Sequence, residues 1–171
     1  IQLVVGALMA RRQGELSDLQ AGDYLNDSKT LLKFANRKSG VLGLREIEAR
    51  PIPSLGIELL DYLEQMQFRL IRAGVLDAYQ PIFSCPLSKG TSHVLGSADN
   101  YAIWSDLFCD WAETEIDSAG RRHYIRQHQL RRFFCMLFFW GNSFGGLETL
   151  RYFLGQTDPA HLYNYITEST P

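Results

Sequence analysis

The sequence predicts one mainly helical domain that carries a small antiparallel β-hairpin. Over much of the chain, apolar residues recur at the three-to-four-residue spacing of a helix that buries one face. Two short strand-like runs bracket a loop with two glycines, which is the pattern of a hairpin with an enlarged loop. At 171 residues, the chain falls within the roughly 100–200 residues of a single domain.

The first third of the chain is expected to hold two helical pieces and then the hairpin. Helical spacing runs from Gln2 to Leu19, and a polar stretch is expected to divide it near Gly14. Thr30 to Asn36 and Ile47 to Ile52 are the predicted strands. Pro51 and Pro53 are expected to end the second strand, because proline cannot donate to a ladder.

Three further elements are expected in the middle of the chain. Ser54 is the predicted N-cap of a helix that reaches about Gly74. Gln80 to Gly96 is expected to be loop, since it holds two prolines, two glycines and several serines. Asn100 is then expected to cap a helix that extends to about Ile116.

The last third is expected to be helical. A helix is predicted from about Gln127 to Phe139, and the apolar run from Phe133 to Trp140 is expected to be buried. Leu147 to Leu154 is a predicted short helix that ends at Gly155, where a left-handed conformation costs glycine little. Asp158-Pro159 is the favoured start of one more helix.

Composition excludes several classes of function. The net charge of −2 does not favour non-specific binding of nucleic acid, so a DNA-binding role must rest on local basic clusters. Three cysteines without a C-x-x-C motif indicate neither a disulfide framework nor a zinc site, and a reducing cytoplasm is expected. No apolar run approaches the ~18 residues of a membrane span.

Four side chains are candidates for chemistry on an anion. His128 and Arg131 are three residues apart and would share a helix face, with a fixed positive charge beside an imidazole that can transfer a proton. Arg12 lies between apolar stretches, with Glu15 placed to orient it. Lys38 lies in the hairpin loop. Taken singly, each of these residues is more typical of a solvated surface than of a site.

Taken in order, these pieces resemble the catalytic domain of tyrosine recombinases and phage-type integrases. The resemblance covers nearly the whole chain, and Tyr165 follows Gln156 at the family's spacing of nine positions. The matching segments are Arg12-Gln-Gly-Glu15, Lys38 before Arg50-Pro-Ile-Pro53, His128-Gln-Leu-Arg131, Leu154-Gly-Gln156 and Tyr165. This resemblance implies a catalytic domain lacking an N-terminal core-DNA-binding domain. Helical spacing is present from the first residues, which fits an excised domain.

The resemblance also implies a function and a set of roles. Tyr165 would attack a phosphate of double-stranded DNA and form a 3′-phosphotyrosyl bond, with no metal and no small-molecule cofactor. Arg12 and Arg131 would neutralise the negative charge on the phosphate oxygens in the transition state. Lys38 would act as general acid on the leaving 5′ oxygen, and His128 would assist removal of the tyrosine proton or hold the phosphate. Gln156 would add one neutral hydrogen bond to the phosphate. Family members act as tetramers on DNA, and a tetramer is expected here as well.

Several alternatives stay open. Gln156 stands where the family usually has His or Trp, and an amide cannot carry positive charge, so a degenerate, non-cutting DNA-binding or interaction domain is one alternative. A type IB topoisomerase-like enzyme is another. Tyr163 competes with Tyr165, and Lys33 competes with Lys38.

Overall fold

Helices and short antiparallel strand pairs make up the fold, as the sequence predicts. A computed structural model describes residues 1–36, 45–86, 93–94, 98–142, 146–155, 162–163 and 166. The elements within those ranges are α1 (Gln2–Met9), α2 (Gln13–Ser17), β1 (Leu31–Ala35), β2 (Ile47–Pro51), α3 (Ser54–Arg72), β3 (Cys85–Pro86), β4 (His93–Val94), α4 (Ala98–Trp111), α5 (Gln127–Gly141) and α6 (Leu147–Leu154).

The predicted hairpin is confirmed. Strands β1 and β2 pair antiparallel, with Leu31 opposite Pro51 and Ala35 opposite Ile47. A second antiparallel pair, β3 with β4, lies inside the stretch predicted to be loop, and that prediction is wrong at these four residues. The pair has two residues in each strand, too few for an alternating pattern to reveal it.

The division between the first two helices lies earlier than predicted. Helix α1 ends at Met9, and Ala10 then adopts a left-handed φ of 48°. Gly14 lies inside α2 and is not the joint. A new helix begins after Arg12 because the Glu15 carboxylate accepts the Arg12 backbone N–H at 3.1 Å, which satisfies a donor that the helix itself leaves unpaired.

Three helix boundaries in the middle of the chain also differ from the prediction. Pro53, rather than Ser54, occupies the N-cap position of α3. Helix α4 begins before Asn100 and ends well before Ile116. Helix α4 ends early because of a Schellman motif: Glu113 has a φ of 50°, and the backbone N–H of Thr114 donates to the carbonyl of Cys109 at 3.1 Å.

The predictions for α5 and α6 agree closely with the structure. Helix α6 has the predicted bounds, and Gly155 follows it with a φ of 63°. The expected burial of the apolar run in α5 is wrong, since Phe133, Leu137 and Trp140 are 57, 59 and 68% exposed. Helix α5 buries one face only, so half of an apolar run on it necessarily faces outward.

The core has two parts that meet beside the joint of α1 and α2. One part contains residues of α1, α2, the hairpin and α3, and the other joins α5 and α6 to Ala10, Leu162 and Ile166. Among the described residues, none of the helices combines the length and apolarity that a membrane crossing requires.

Candidate active site

Arg12 lies at the N-terminus of α2, where Glu15 holds it. Its Nη1 is 2.6 Å from Oε1 of Glu15, whose side chain is fully buried, whereas the Arg12 side chain is 21% exposed. A carboxylate that accepts both the guanidinium and a backbone N–H of the same residue fixes the side chain relative to the backbone. Arg12 is therefore an ordered cation that solvent, or a ligand, can reach.

The two ends of the His-x-x-Arg box lie in different environments. His128 is exposed on the first turn of α5, and Arg131 is 2% exposed. Arg131 donates from Nη1 to the carbonyl of Ala10 at 2.6 Å and from Nη2 to the carbonyl of Leu154 at 3.0 Å. Arg131 thus links the joint of α1 and α2 to the end of α6.

Gln127, one residue before the box, supports the same joint from inside the protein. Its Nε2 donates to the carbonyls of Gly6 and Arg11, both at 2.9 Å, and its Oε1 accepts the hydroxyl of Tyr101 at 2.8 Å. The side chain is 4% exposed. Because each of these hydrogen bonds is buried, the first turn of α5 is fixed against α1.

Arg11 is a buried arginine that the sequence-based site did not include. It is 1% exposed, its Nε donates to the carbonyl of Met9 at 3.1 Å, and its Nη2 donates to the carbonyl of Phe153. The guanidinium carbon lies 4.5 Å from the ring centroid of Phe34, a cation–π distance.

Arg50, on β2, is the third arginine of this cluster. Its Nη2 pairs with Glu48, which also accepts a hydrogen bond from Asn36. Its Nε donates to the carbonyl of Tyr152 at 2.8 Å, and its guanidinium carbon lies 4.2 Å from the ring centroid of the same residue. Arg50 therefore ties the hairpin to the end of α6.

The charge balance of this cluster is reflected in one pKa. Burial and, after it, the charge of Arg131 lower the pKa of Arg11 to about 9; the charge of Arg50 acts in the same direction, while Glu15 and Glu48 act in the opposite direction. Three buried guanidiniums thus face two carboxylates, and Arg12 adds a further positive charge at the surface. An excess of positive charge at low exposure favours an anionic ligand.

The three buried arginines all donate to one turn of α6. Three consecutive carbonyls each accept from a different guanidinium: Tyr152 from Arg50, Phe153 from Arg11 and Leu154 from Arg131. Gly155 comes next, beside the hairpin: a Cβ there would lie 3.4 Å from Oε2 of Glu48.

One sequence signal could have identified Arg50 and Glu48. In the register of the hairpin they lie opposite Leu32 and Phe34, the two fully inward residues of β1. Residues paired across two strands point to the same face, so the alternation of β1 already assigns Glu48 and Arg50 to the interior. No such signal identifies Arg11, because neither it nor the adjacent Arg12 lies in a strand whose alternation could show which of the two is buried.

The remaining predicted site residues are only partly covered by the structure. Lys38, Gln156 and Tyr165 lie outside the described residues. The alternative lysine, Lys33, pairs with Asp23, and it lies on the face of β1 opposite to Leu32 and Phe34, away from the arginine cluster. The alternative tyrosine, Tyr163, is 49% exposed.

The basic stretch before α5 is largely paired with carboxylates. Arg126 pairs with Asp106, Arg122 lies 3.3 Å from Asp110, and Arg121 lies 3.0 Å from Asp117. These pairs reduce the positive charge that the sequence places there. Within the described ranges, no three His, Cys, Asp or Glu side chains come together as metal ligands.

This fold is that of tyrosine recombinase catalytic domains. The chain is similar over 95% of its length to XerA recombinase, with a TM-score of 0.63 at 14% sequence identity. It is similar over 98% of its length to the Tn1549 transposon integrase in complex with circular intermediate DNA, with a TM-score of 0.60 at 15% identity. A variant of that integrase in complex with transposon right end DNA gives a TM-score of 0.50 at 16% identity.

The chain spans about half the length of these solved chains, covering 50% of XerA recombinase and 53% of the integrase. No protein-family model and no curated protein sequence matches it. At such low identity the similarity establishes a shared fold, and the chemistry has to be argued from the site.

Proposed function

We propose that this chain is the catalytic domain of a tyrosine-type site-specific recombinase, which cleaves and rejoins double-stranded DNA through a 3′-phosphotyrosyl bond. The observation that carries the proposal is the convergence of distant segments on one turn of α6. Arg131 joins the residue before Arg11-Arg12 to Leu154, and Arg50 joins the hairpin to Tyr152. The resemblance requires these same segments to form one site.

In the proposed reaction, the phenolic oxygen of Tyr165 attacks a backbone phosphorus and displaces the 5′ oxygen of the next nucleotide. Lys38 gives its proton to that leaving oxygen, and His128 assists removal of the tyrosine proton. The phosphotyrosyl bond conserves the energy of the broken phosphodiester. Attack by a 5′ hydroxyl on this bond then rejoins the strand and releases the tyrosine.

Arginine is suited to the charged part of this mechanism. Its planar fork matches two phosphate oxygens, and a preorganised cation stabilises the extra charge of the transition state. Arg12 is held by Glu15 and exposed, so it can meet DNA directly. Arg131 is buried in the free protein, and its contact with phosphate requires the site to open when DNA docks.

Double-stranded DNA is the proposed partner. The similarity of the fold to a recombinase and to a transposon integrase in complex with DNA supports a role in recombination at this coarse level. Assembly as a tetramer on DNA is part of the same proposal. The pairing of Arg121, Arg122 and Arg126 with carboxylates makes Arg12 and Arg131, rather than bulk surface charge, the expected source of affinity for phosphate.

The second candidate is a degenerate recombinase-like domain that binds DNA or a partner without cutting it. Two observations favour it: Gln156 replaces an imidazole or indole, and Arg131 is committed to two carbonyls. Both candidates predict DNA binding, and only the first predicts a covalent bond to DNA.

A capture experiment separates the two. The complete gene product is incubated with a pool of nicked duplexes of random sequence. Cleavage close to the nick releases a short fragment that carries the 5′ hydroxyl, so rejoining is blocked. Adducts that resist denaturing detergent are then isolated. The proposal predicts an adduct that is lost in Tyr165→Phe and kept in Tyr163→Phe.

Each other outcome has a definite meaning. Absence of any adduct, in a protein that binds the same duplexes, contradicts the enzyme and supports the degenerate domain. An adduct kept in Tyr165→Phe and lost in Tyr163→Phe keeps the reaction and replaces the nucleophile.

A further inference from the structure

Four separate parts of the chain meet at the C-terminal turn of α6. The joint of α1 and α2 contributes Arg11, β2 contributes Arg50 and α5 contributes Arg131, while α6 itself supplies the acceptors. These acceptors are the consecutive carbonyls 152 to 154, which belong to the last four carbonyls of the helix; the carbonyl of Tyr152 also accepts the N–H of Gly155. Positive groups are also favoured at this end of a helix by its dipole.

This arrangement exceeds what the end of a helix needs. Gly155, with a φ of 63°, already ends α6, and its N–H donates to the carbonyl of Tyr152 at 3.1 Å. A glycine in this conformation is sufficient to end many helices. Burying three guanidiniums is costly because each loses its hydration, and burial accordingly lowers the pKa of Arg11. The arrangement therefore does more than end the helix, since it joins three other parts of the chain to the last turn of α6.

The segment that comes after α6 indicates the purpose. Gln156 and Tyr165 lie in the ten residues beyond Gly155, and Leu162 and Ile166 pack into the same core as Leu154. The last turn of α6 therefore fixes where the segment that carries the proposed nucleophile begins.

We infer that Arg11, Arg50 and Arg131 form a clamp on the last turn of α6, and that Arg11 and Arg50 are positioning residues for the tyrosine segment. The inference rests on the proposed function for its catalytic consequence and on the structure alone for the clamp. Arg11 and Arg50 act through carbonyls of α6 rather than on DNA. The clamp also connects the hairpin to α6, because Arg50 on β2 pairs with Glu48 of the same strand and donates to the carbonyl of Tyr152.

The clamp itself can be tested without DNA. Hydrogen exchange is measured on the free protein for peptides within residues 147–155, with α3 (Ser54–Arg72) as an internal reference. We expect Arg50→Met to accelerate exchange in the α6 peptides by about tenfold, the effect of one lost hydrogen bond, and to leave α3 unchanged. Arg72→Met, at an exposed residue at the end of α3, is the matched control and is expected to leave α6 unchanged.

The catalytic consequence is tested by separating binding from cleavage. With saturating nicked DNA, Arg50→Met is expected to slow single-turnover adduct formation by about 100-fold, the scale of a small misplacement of reacting groups, while its Kd for DNA changes less than about threefold. Arg50→Lys keeps the charge but lacks the fork, and it is expected to remain slow. Where Arg50→Met does not fold, Arg50→Lys and Arg11→Lys supply both measurements.

The outcomes distinguish the clamp from the proposed function. Unchanged exchange in α6 for the variants overturns the clamp, whether or not adduct forms. Faster exchange with an unchanged cleavage rate, or full rescue by Arg50→Lys, overturns the positioning role. If the wild-type protein forms no adduct, the proposed function fails while the exchange data still decide the clamp.

Discussion

Glu15 is the residue on which the exposed cation of the site depends. It is fully buried, it accepts both the guanidinium and the backbone N–H of Arg12, and its charge opposes the effect of the buried arginines on Arg11. Removing one partner of such a buried pair leaves the other charge uncompensated. We expect Glu15→Gln to lower the free energy of unfolding by about 3 kcal/mol in urea titrations.

Glu148→Gln is the matched control for this change. Glu148 is also three residues from its arginine, with Oε2 at 3.2 Å from Nη2 of Arg151, but its side chain is 73% exposed. An exposed pair contributes little, so a loss within about 0.5 kcal/mol is expected. Equal losses for the two variants would contradict the importance given to burial of Glu15.

Tyr101 gives the protein a predictable response to alkaline pH. Burial raises the pKa of Tyr101 above its ordinary value of 10, and burial together with the hydrogen bond to Asp61 raises the pKa of Tyr24. Above about pH 10 the unfolded chain loses these protons while the folded chain retains them. Fewer protons bound to the unfolded state means that stability falls as pH rises.

Wild type and Tyr101→Phe are expected to differ in stability by an amount that depends on pH. At pH 7 the variant is expected to be less stable by about 1–2 kcal/mol, because the hydrogen bond to buried Gln127 is lost. Above about pH 10 the difference should shrink by about 1.4 kcal/mol per pH unit, since the variant lacks the titrating group. Unfolding in urea at several pH values measures this, and a constant difference would contradict it.

At the scale of elements, the contact of α1 with α5 requires a glycine. A Cβ at Gly6 would lie 2.3 Å from Oε1 of Gln127 and 2.8 Å from the hydroxyl of Tyr101, both of which are buried and hydrogen-bonded. We expect Gly6→Ala to destabilise the protein by about 1–3 kcal/mol as the packing is forced apart. Thermal unfolding followed by circular dichroism measures the effect.

Gly141→Ala is the control for this prediction. Gly141 is also helical, and a Cβ there meets nothing within 4 Å. Alanine is the better helix former, so this change is expected to be neutral or to stabilise by up to about 1 kcal/mol. A similar loss at both positions would contradict the close contact of Gly6 with α5 as the cause, because helix propensity favours alanine at both positions.

Helix α5 shows where prediction from sequence reaches its limit at this scale. Its bounds were predictable from its apolar spacing and its terminal glycine, but the orientation of its faces was not. The inward residues are Gln127, Arg131 and Cys135, spaced four apart, whereas Phe133, Leu137 and Trp140 face outward. Polar side chains are buried here because backbone carbonyls of α1 and α6 satisfy them, and such partners cannot be read from a hydropathy pattern.

For the whole molecule, the fold class and the order of its elements were predictable, and the interior of the site was only partly so. Arg12 with Glu15 and Arg131 follow from local spacing. The roles of Arg11 and Arg50 depend on carbonyls 142 and 102 residues further along the chain, at Phe153 and Tyr152. Contacts over such separations arise from how elements pack, which no short motif specifies.

The central claim is that the tyrosine following α6 becomes covalently linked to DNA. The most direct measurement is mass spectrometry of the isolated adduct after trypsin and nuclease digestion, because fragmentation locates the attached nucleotide. The peptide that begins at Tyr152 contains Tyr163 and Tyr165 as well. We expect the nucleotide on Tyr165. A nucleotide on any residue outside this peptide, or a protein that binds the duplex without ever carrying one, would contradict the claim.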